Sequence, residues 1–441
     1  MKTFLNRGIV KHRISRKTPI SCRPIGDWTL SATKFLAGFA LAVGLTPAAK
    51  FTNPTANAAD WAQFRGPAGT SVAADAKLPT SFNVADNQNV AWRAELPGRG
   101  PSSPIIIADR VVVTCSDGPL QEKLIVACFD AKSGKSLWRR QFWATGRTYS
   151  HPDSANAAPT PASDGKRIYA FYSSNDMVCL DLDGNLQWFR GLAFDYPKAG
   201  NDVGMASSPV VVDDTVVVQV ENLGDSFAAG LDAANGETRW RTPRRASMNW
   251  TSPAVFRTPQ GRNAVLLQSP KVLTAHDPKS GEQLWQFEAD CQTIPTAVGS
   301  DGRVFVPAKG ITALDLSEGT APKVLWDSNQ LNPGPASPLV AGNRIYALNR
   351  AGVLSCGDVD TGKSLWQLRV GGTHWSTPVI ANGRLYCVNQ EGKARIISLS
   401  DAKGELVGEA DFGERVQGSL AVAGNALFVR SDKHLWKIAS P

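Results

Sequence analysis

Short apolar runs recur along the chain, each too short for a helix and each bounded by Gly, Pro, Asn or Asp. The runs PVVVD (209–213) and PVIAN (378–382) follow a Ser-Pro or Thr-Pro step. A second run, rich in β-branched and aromatic residues, comes a few residues later, as RIYAF (167–171), RIYAL (344–348) and RLYCV (384–388). A third run ends on Leu-Asp or its equivalent, and a fourth carries Gly-x3-Trp. Runs of this length and composition, separated by turn residues, are β-strands.

The four runs form one unit that repeats. Its ending reads SGKSLW at 133–138, DGNLQW at 183–188, NGETRW at 235–240, SGEQLW at 280–285 and TGKSLW at 361–366. A looser copy runs from Leu314-Asp315 through Gly319 to Trp326, and a degenerate one has Gly404 with Gly408 where Trp is expected. The opening Pro falls at Pro104, Pro161, Pro209, Pro253, Pro295, Pro338 and Pro378, and an eighth opening, Gly418-Ser419-Leu420, lacks it. Four short strands per repeat, recurring about every 40–50 residues, predict propeller blades. Within each unit the Asp closes an Asx turn, the Gly supplies positive φ, and the Trp covers the neighbouring blade. The expected fold is all-β: an eight-bladed β-propeller of four-stranded antiparallel blades.

The chain ends also predict how the ring closes. After the eighth opening come LAVAG, NALFVRS and HLWKIAS, three strands and then the last residues. A strand carrying a Trp but preceded by no blade, Asn89-Val90-Ala91-Trp92-Arg93, lies near the front. It is expected to complete the last blade and remove an open edge. The propeller then spans 87–441, with a lead-in segment at 59–86.

The Ser-Pro opening and the Leu-Asp-x3-Gly-x3-Trp ending resemble the PQQ-like β-propeller repeats of quinoprotein alcohol dehydrogenases and BamB-type outer-membrane assembly factors. The resemblance covers residues about 87–441. The run Asp60-Trp61-Ala62-Gln63-Phe64-Arg65-Gly66-Pro67 also resembles a leader to such propellers in secreted bacterial proteins.

Charge first points elsewhere, since the formal net charge is +8. Nine of the 47 Lys and Arg but only one of the 39 acidic residues fall in 1–58, so the remainder carries 38 of each. A balanced propeller has no nucleic-acid footprint. The basic stretch, the apolar run FLAGFALAVGL (35–45) and the small residues Ala56-Asn57-Ala58 read instead as an export signal. The apolar run is shorter than a membrane-spanning helix needs. The mature protein is therefore expected in the periplasm or outside the cell, without a transmembrane segment and as a monomer.

The chain has seven Cys. Cys128, Cys179 and Cys356 hold the same repeat position, two residues before the third-strand Asp, where other units have Ala275 and Ala313. Equivalent positions in separate blades are too far apart to bridge. The six Cys beyond Cys22 are expected to be buried thiols.

Candidate chemistry gathers in the loops before the Ser-Pro steps, which in a propeller converge on one mouth of the central channel. They hold Tyr149, His151, Asp153 and Asn156, then Asn201 and Asp202, then Asn249 and Trp250, then His374 and Trp375, and Arg415. Trp250 and Trp375 occupy one repeat slot, filled in other blades by Ala158 and Ala206. Stacking faces beside amides and imidazoles make a ligand pocket, or else plug the channel mouth. The leading reading is a non-catalytic binding or assembly protein of the bacterial cell envelope. Its partner would be an envelope protein or a small polar ligand that stacks on aromatic rings, and no cofactor is expected. Two alternatives stay open. A carbohydrate- or polymer-binding module would use the aromatic mouth. A PQQ-dependent enzyme, by the resemblance, would need its quinone in the channel, a Ca²⁺ site and a carboxylate base. Asp153, Asn156, Asn201 and Asp202 are the oxygen donors on offer for Ca²⁺, but the adjacent Cys pair of such dehydrogenases is missing.

Overall fold

The computed structural model describes residues 60–200, 203–317 and 321–441. The segment expected to be an export signal, Gly319 and two candidate residues, Asn201 and Asp202, lie outside them. Among the described residues the strands form eight sheets arranged as consecutive blades, with one four-residue helix, Leu192–Asp195. Val90–Glu95 pairs antiparallel with His434–Ile438, so the ring closes as expected, with Trp92 on the outermost strand of the last blade.

The seam between blades follows one design. The indoles of six outer-strand Trp lie on a glycine of the next blade and donate Nε1–H to a carbonyl beside it. Trp92 reaches Ala131 O at 3.1 Å, Trp138 Leu182 O at 2.9 Å, Trp188 Ala233 O at 3.1 Å and Trp240 Pro278 O at 2.8 Å. Trp326 and Trp366 donate likewise to Val359 O and Ser400 O. Gly281 shows why glycine is needed: its φ is +73°, and a Cβ there would sit 2.5 Å from the Trp240 ring. Across the ladder the Trp faces a small residue, Cys128 opposite Trp138, Cys179 opposite Trp188 and Cys356 opposite Trp366. That explains the repeated cysteine position. All six described Cys are unpaired and buried, and burial pushes the Cys128, Cys179, Cys291 and Cys387 thiols up to about 12.

Blade 7 (379–411) inverts the pattern. Gly408 stands in the Trp position, opposite Ile396 instead of a small residue. The vacated seam is filled by the lead-in segment: Thr80 O lies 2.1 Å from where a Gly408 Cβ would be, and Phe82 packs on Phe412 at 5.4 Å.

The rest of that segment lines the inner wall of the propeller. Trp61 bridges Ile106 on the innermost strand of blade 1, and Ala62 O accepts from Ser163 N of blade 2. The buried Arg65 guanidinium donates to Thr296 O and Ala297 O of blade 5 and to Pro338 O of blade 6. Val72–Ala73 then adds a fifth, parallel strand inside blade 7. Residues expected only to lead in therefore form the hub. One detail of the repeat is also corrected. The fifth unit opens on Thr296-Ala297, not on Pro295, because Thr296 holds the hydroxyl position shared by the Ser and Thr of the other openings.

Trp240→Ala should lower the unfolding free energy by about 3–5 kcal/mol, measured in urea, because it empties a site where the indole is 8% exposed. Alkylation without reductant should label none of the six described Cys in the native protein and all six after denaturation, read by mass spectrometry.

Candidate functional site

In each blade the second-to-third and fourth-to-first connections emerge on the same face, so one face carries the loops that precede the Ser-Pro steps. At its centre is a cavity of about 480 Å³. Its floor is a ring of hydroxyls, one per blade: Ser103, Thr160, Ser208, Ser252, Thr296, Ser337, Thr377 and Ser419 all line it. Each backbone N–H from Ser103 to Thr377 donates to the hydroxyl of the following blade, at 2.9–3.1 Å. At the eighth seam, between blades 8 and 1, the buried Arg430 guanidinium does the joining, through Ser102, Thr114 O and Cys115 Sγ.

A second ring stands above the first. The residues two positions before each hydroxyl, Pro101, Ala158, Ala206, Trp250, Ile294, Pro335, Trp375 and Gln417, also line the cavity. This ring varies where the floor does not. Phe64 of the hub also lines the cavity, and Arg350, His151, Asp153, Ser154 and Val203 complete its lining.

Of the residues singled out in the sequence, His151, Asp153, Trp250 and Trp375 therefore line one cavity. Trp250 is anchored by Nε1–H to Gly204 O at 2.9 Å. Trp375 carries the Arg350 guanidinium over its ring at 5.0 Å. Asp153 pairs with Arg415 at 3.0 Å, and its backbone N–H donates to His151 Nδ1 at 3.1 Å. Tyr149 stands exposed on the rim under the Arg147 guanidinium.

The other three are buried outside the cavity lining. Asn156 binds Gln121 and the Ser174 backbone. Asn249 donates to Glu221, Thr251 and Gln268 O. It belongs to a buried polar knot in which Glu221 also pairs with Arg244 at 2.9 Å and accepts from Gln219. His374 bonds Gly371 O through Nε2 at 2.9 Å. These residues brace the loops. Rare polar types in a loop look alike in sequence whether they face a ligand or hold the backbone. Arg350 and the hydroxyl ring were passed over, although Ser or Thr at the same point of every opening was visible.

The quinone and Ca²⁺ of quinoprotein dehydrogenases would need oxygen donors around the cavity. Ca²⁺ takes six to eight oxygens. Among the described residues lining the cavity Asp153 is the one carboxylate, and Arg415 already neutralises it. No described group of three or more His, Cys, Asp or Glu is placed to hold a metal ion. These residues do not fit a Ca²⁺–quinone pair.

The family profile described as outer membrane protein assembly factor BamB matches residues 80–255, 123–298, 268–374, 308–398 and 350–440. The chain belongs to this family of PQQ-like propellers. It is 25% identical over 339 residues, 72% of its length, to the outer membrane protein assembly factor BamB of Burkholderia pseudomallei, 79% of which is covered. Among solved structures it resembles BamB from Moraxella catarrhalis (17% identity, 79% of this chain and 96% of that one, TM-score 0.59). It also resembles a quinohemoprotein alcohol dehydrogenase from Comamonas testosteroni (12%, 87% and 81%, TM-score 0.63). At these identities both likenesses concern the fold.

Burial holds the imidazoles of His276 and His374 below the ordinary 6.5. Both are neutral in the fold, and the unfolded chain takes up their protons first. Their contribution is complete above about pH 6.5 and is lost as pH falls from there toward the folded values. The melting temperature should therefore drop between pH 7.5 and 5. In His374→Gln the drop should be shallower, from a lower starting point, as read by calorimetry.

Proposed function

We propose that the chain is a non-catalytic docking protein of the bacterial cell envelope that takes part in outer-membrane protein assembly and holds an envelope protein against its mouth face. The observation that carries this reading is an asymmetry of that face. The loop-borne large apolar side chains that stand exposed there, Leu120, Tyr149, Phe194, Leu223, Met248 and Ile294, all belong to connections of blades 1–4, with Trp143 beside them at the end of an outer strand. The other exposed large apolar residues of the described chain, such as Leu325, Leu365 and Val407, lie on outermost strands. An apolar, aromatic-rich patch on a rigid face is what a protein partner buries. Family membership supports the same reading, since the family profile and the Burkholderia pseudomallei relative are both described as outer membrane protein assembly factor BamB. An envelope location follows from it, and among the described residues no helix is long and apolar enough to cross a membrane.

The test replaces Leu120, Phe194 and, as control, Leu365 by a photo-crosslinking residue in cells of the native host. Adducts to an envelope protein are expected from Leu120 and Phe194 and not from Leu365. A deletion strain should show a reduced set of outer-membrane proteins, restored by the wild-type chain and poorly by Phe194→Ala/Leu223→Ala. An unchanged outer-membrane profile on deletion, or adducts from Leu365 alone, would sink this reading.

A further inference from the structure

We infer that the mouth cavity is a recognition site for an oxyanion, a carboxylate or phosphate group, carried on a flat apolar body. The proposal concerns the cavity and goes beyond the docking role of the rim.

Seven of the eight floor hydroxyls have already used a lone pair to accept a backbone N–H. A hydroxyl brings one donor and two lone pairs. Among the described residues none of these eight hydroxyls donates a hydrogen bond to a protein acceptor. Ser103 Oγ makes no hydrogen bond there at all. The cavity therefore offers a circle of O–H donors in search of an acceptor.

Charge points the same way. Arg350, stacked on Trp375, has no carboxylate within ion-pair range among the described residues. Asp153 is neutralised by Arg415. Arg65, next in the chain to the lining residue Phe64, is buried against carbonyl oxygens with no described counter-ion. The cavity thus has positive charge on its wall and beside its hydroxyl ring, and no unpaired described carboxylate in its lining. A guanidinium on a wall prefers a planar or tetrahedral oxyanion. The indoles of Trp250 and Trp375, on blades 4 and 7 across the mouth, supply apolar faces for the rest of the ligand. About 480 Å³ accommodates a small molecule or one terminal residue of a chain.

The probes are 2-naphthoate, 2-naphthyl phosphate and the neutral 2-naphthalenemethanol, titrated into the protein by calorimetry. At least one of the two anions should bind saturably at concentrations up to about 1 mM, and the alcohol at least about tenfold more weakly. The tighter of the anions identifies the head group. Arg350→Gln and Ser103→Ala should each weaken the anion about tenfold, the loss of one charge-assisted hydrogen bond. Ser103→Ala leaves no backbone N–H without its partner, so the fold should be unchanged by circular dichroism. Equal affinity for the alcohol and the anions, no saturation by any of the three, or unweakened binding in both variants overturns the proposal. The wild-type comparison decides even if a variant fails to fold. Cross-linking from Leu120 and Phe194 reads the rim separately, so either idea can fail while the other stands.

Discussion

The structure depends on an indole laid on a glycine. Each blade is a twisted four-stranded sheet that cannot bury both faces alone, and the seam with the next blade must exclude water along its outer edge. The Trp does this with a large apolar ring, while its Nε1–H satisfies a turn carbonyl that would otherwise lose its hydrogen bond. The contact constrains residues on both sides. The next blade needs a glycine with positive φ, and the residue across the ladder must be small, which is why Cys, Ala or Gly stands there. Where blade 7 drops the Trp, the constraint is met from another part of the chain, by Thr80 and Phe82.

That exchange ties the seam to the centre of the molecule. The segment that reaches the blade 7–8 seam comes from the hub, where Trp61, Arg65 and Val72–Ala73 bind inner strands of blades 1, 5, 6 and 7. Lining the hub with main chain satisfies polar groups on innermost strands that have no further neighbour. It also brings Phe64 into the lining of the mouth cavity. The mouth cavity is thus a vessel lined in part by the hub.

The vessel is itself a product of the repeat. Two positions in every opening, two residues apart, make the two rings. The lower is held to Ser or Thr because seven of its eight hydroxyls accept a backbone N–H from the preceding blade. The upper carries no such duty and is free to vary, from Ala206 to Trp375.

Fold and closure were legible in the sequence because the forces that produce them are local and repeated. Alternating runs, turn glycines and the spaced Trp specify a blade, and the unpaired Trp92 strand specifies how the ring ends. His151, Asp153, Trp250 and Trp375 could be placed at one mouth from repeat position alone. Their neighbours could not be told from them: Asn156, Asn249 and His374 sit in similar loops but turn inward to backbone and buried Glu221. Burial of a loop side chain depends on contacts with other blades, and no local pattern encodes those. The same holds for the hub. Residues 60–82 have no repeat of their own, and their path follows from what the closed ring leaves unsatisfied: bare inner strands and one seam without its indole. The sequence by itself determined the blade, the number of blades and the order of closure. Only the tertiary structure decided which polar residues face the cavity, because that choice is made by long-range satisfaction of buried groups.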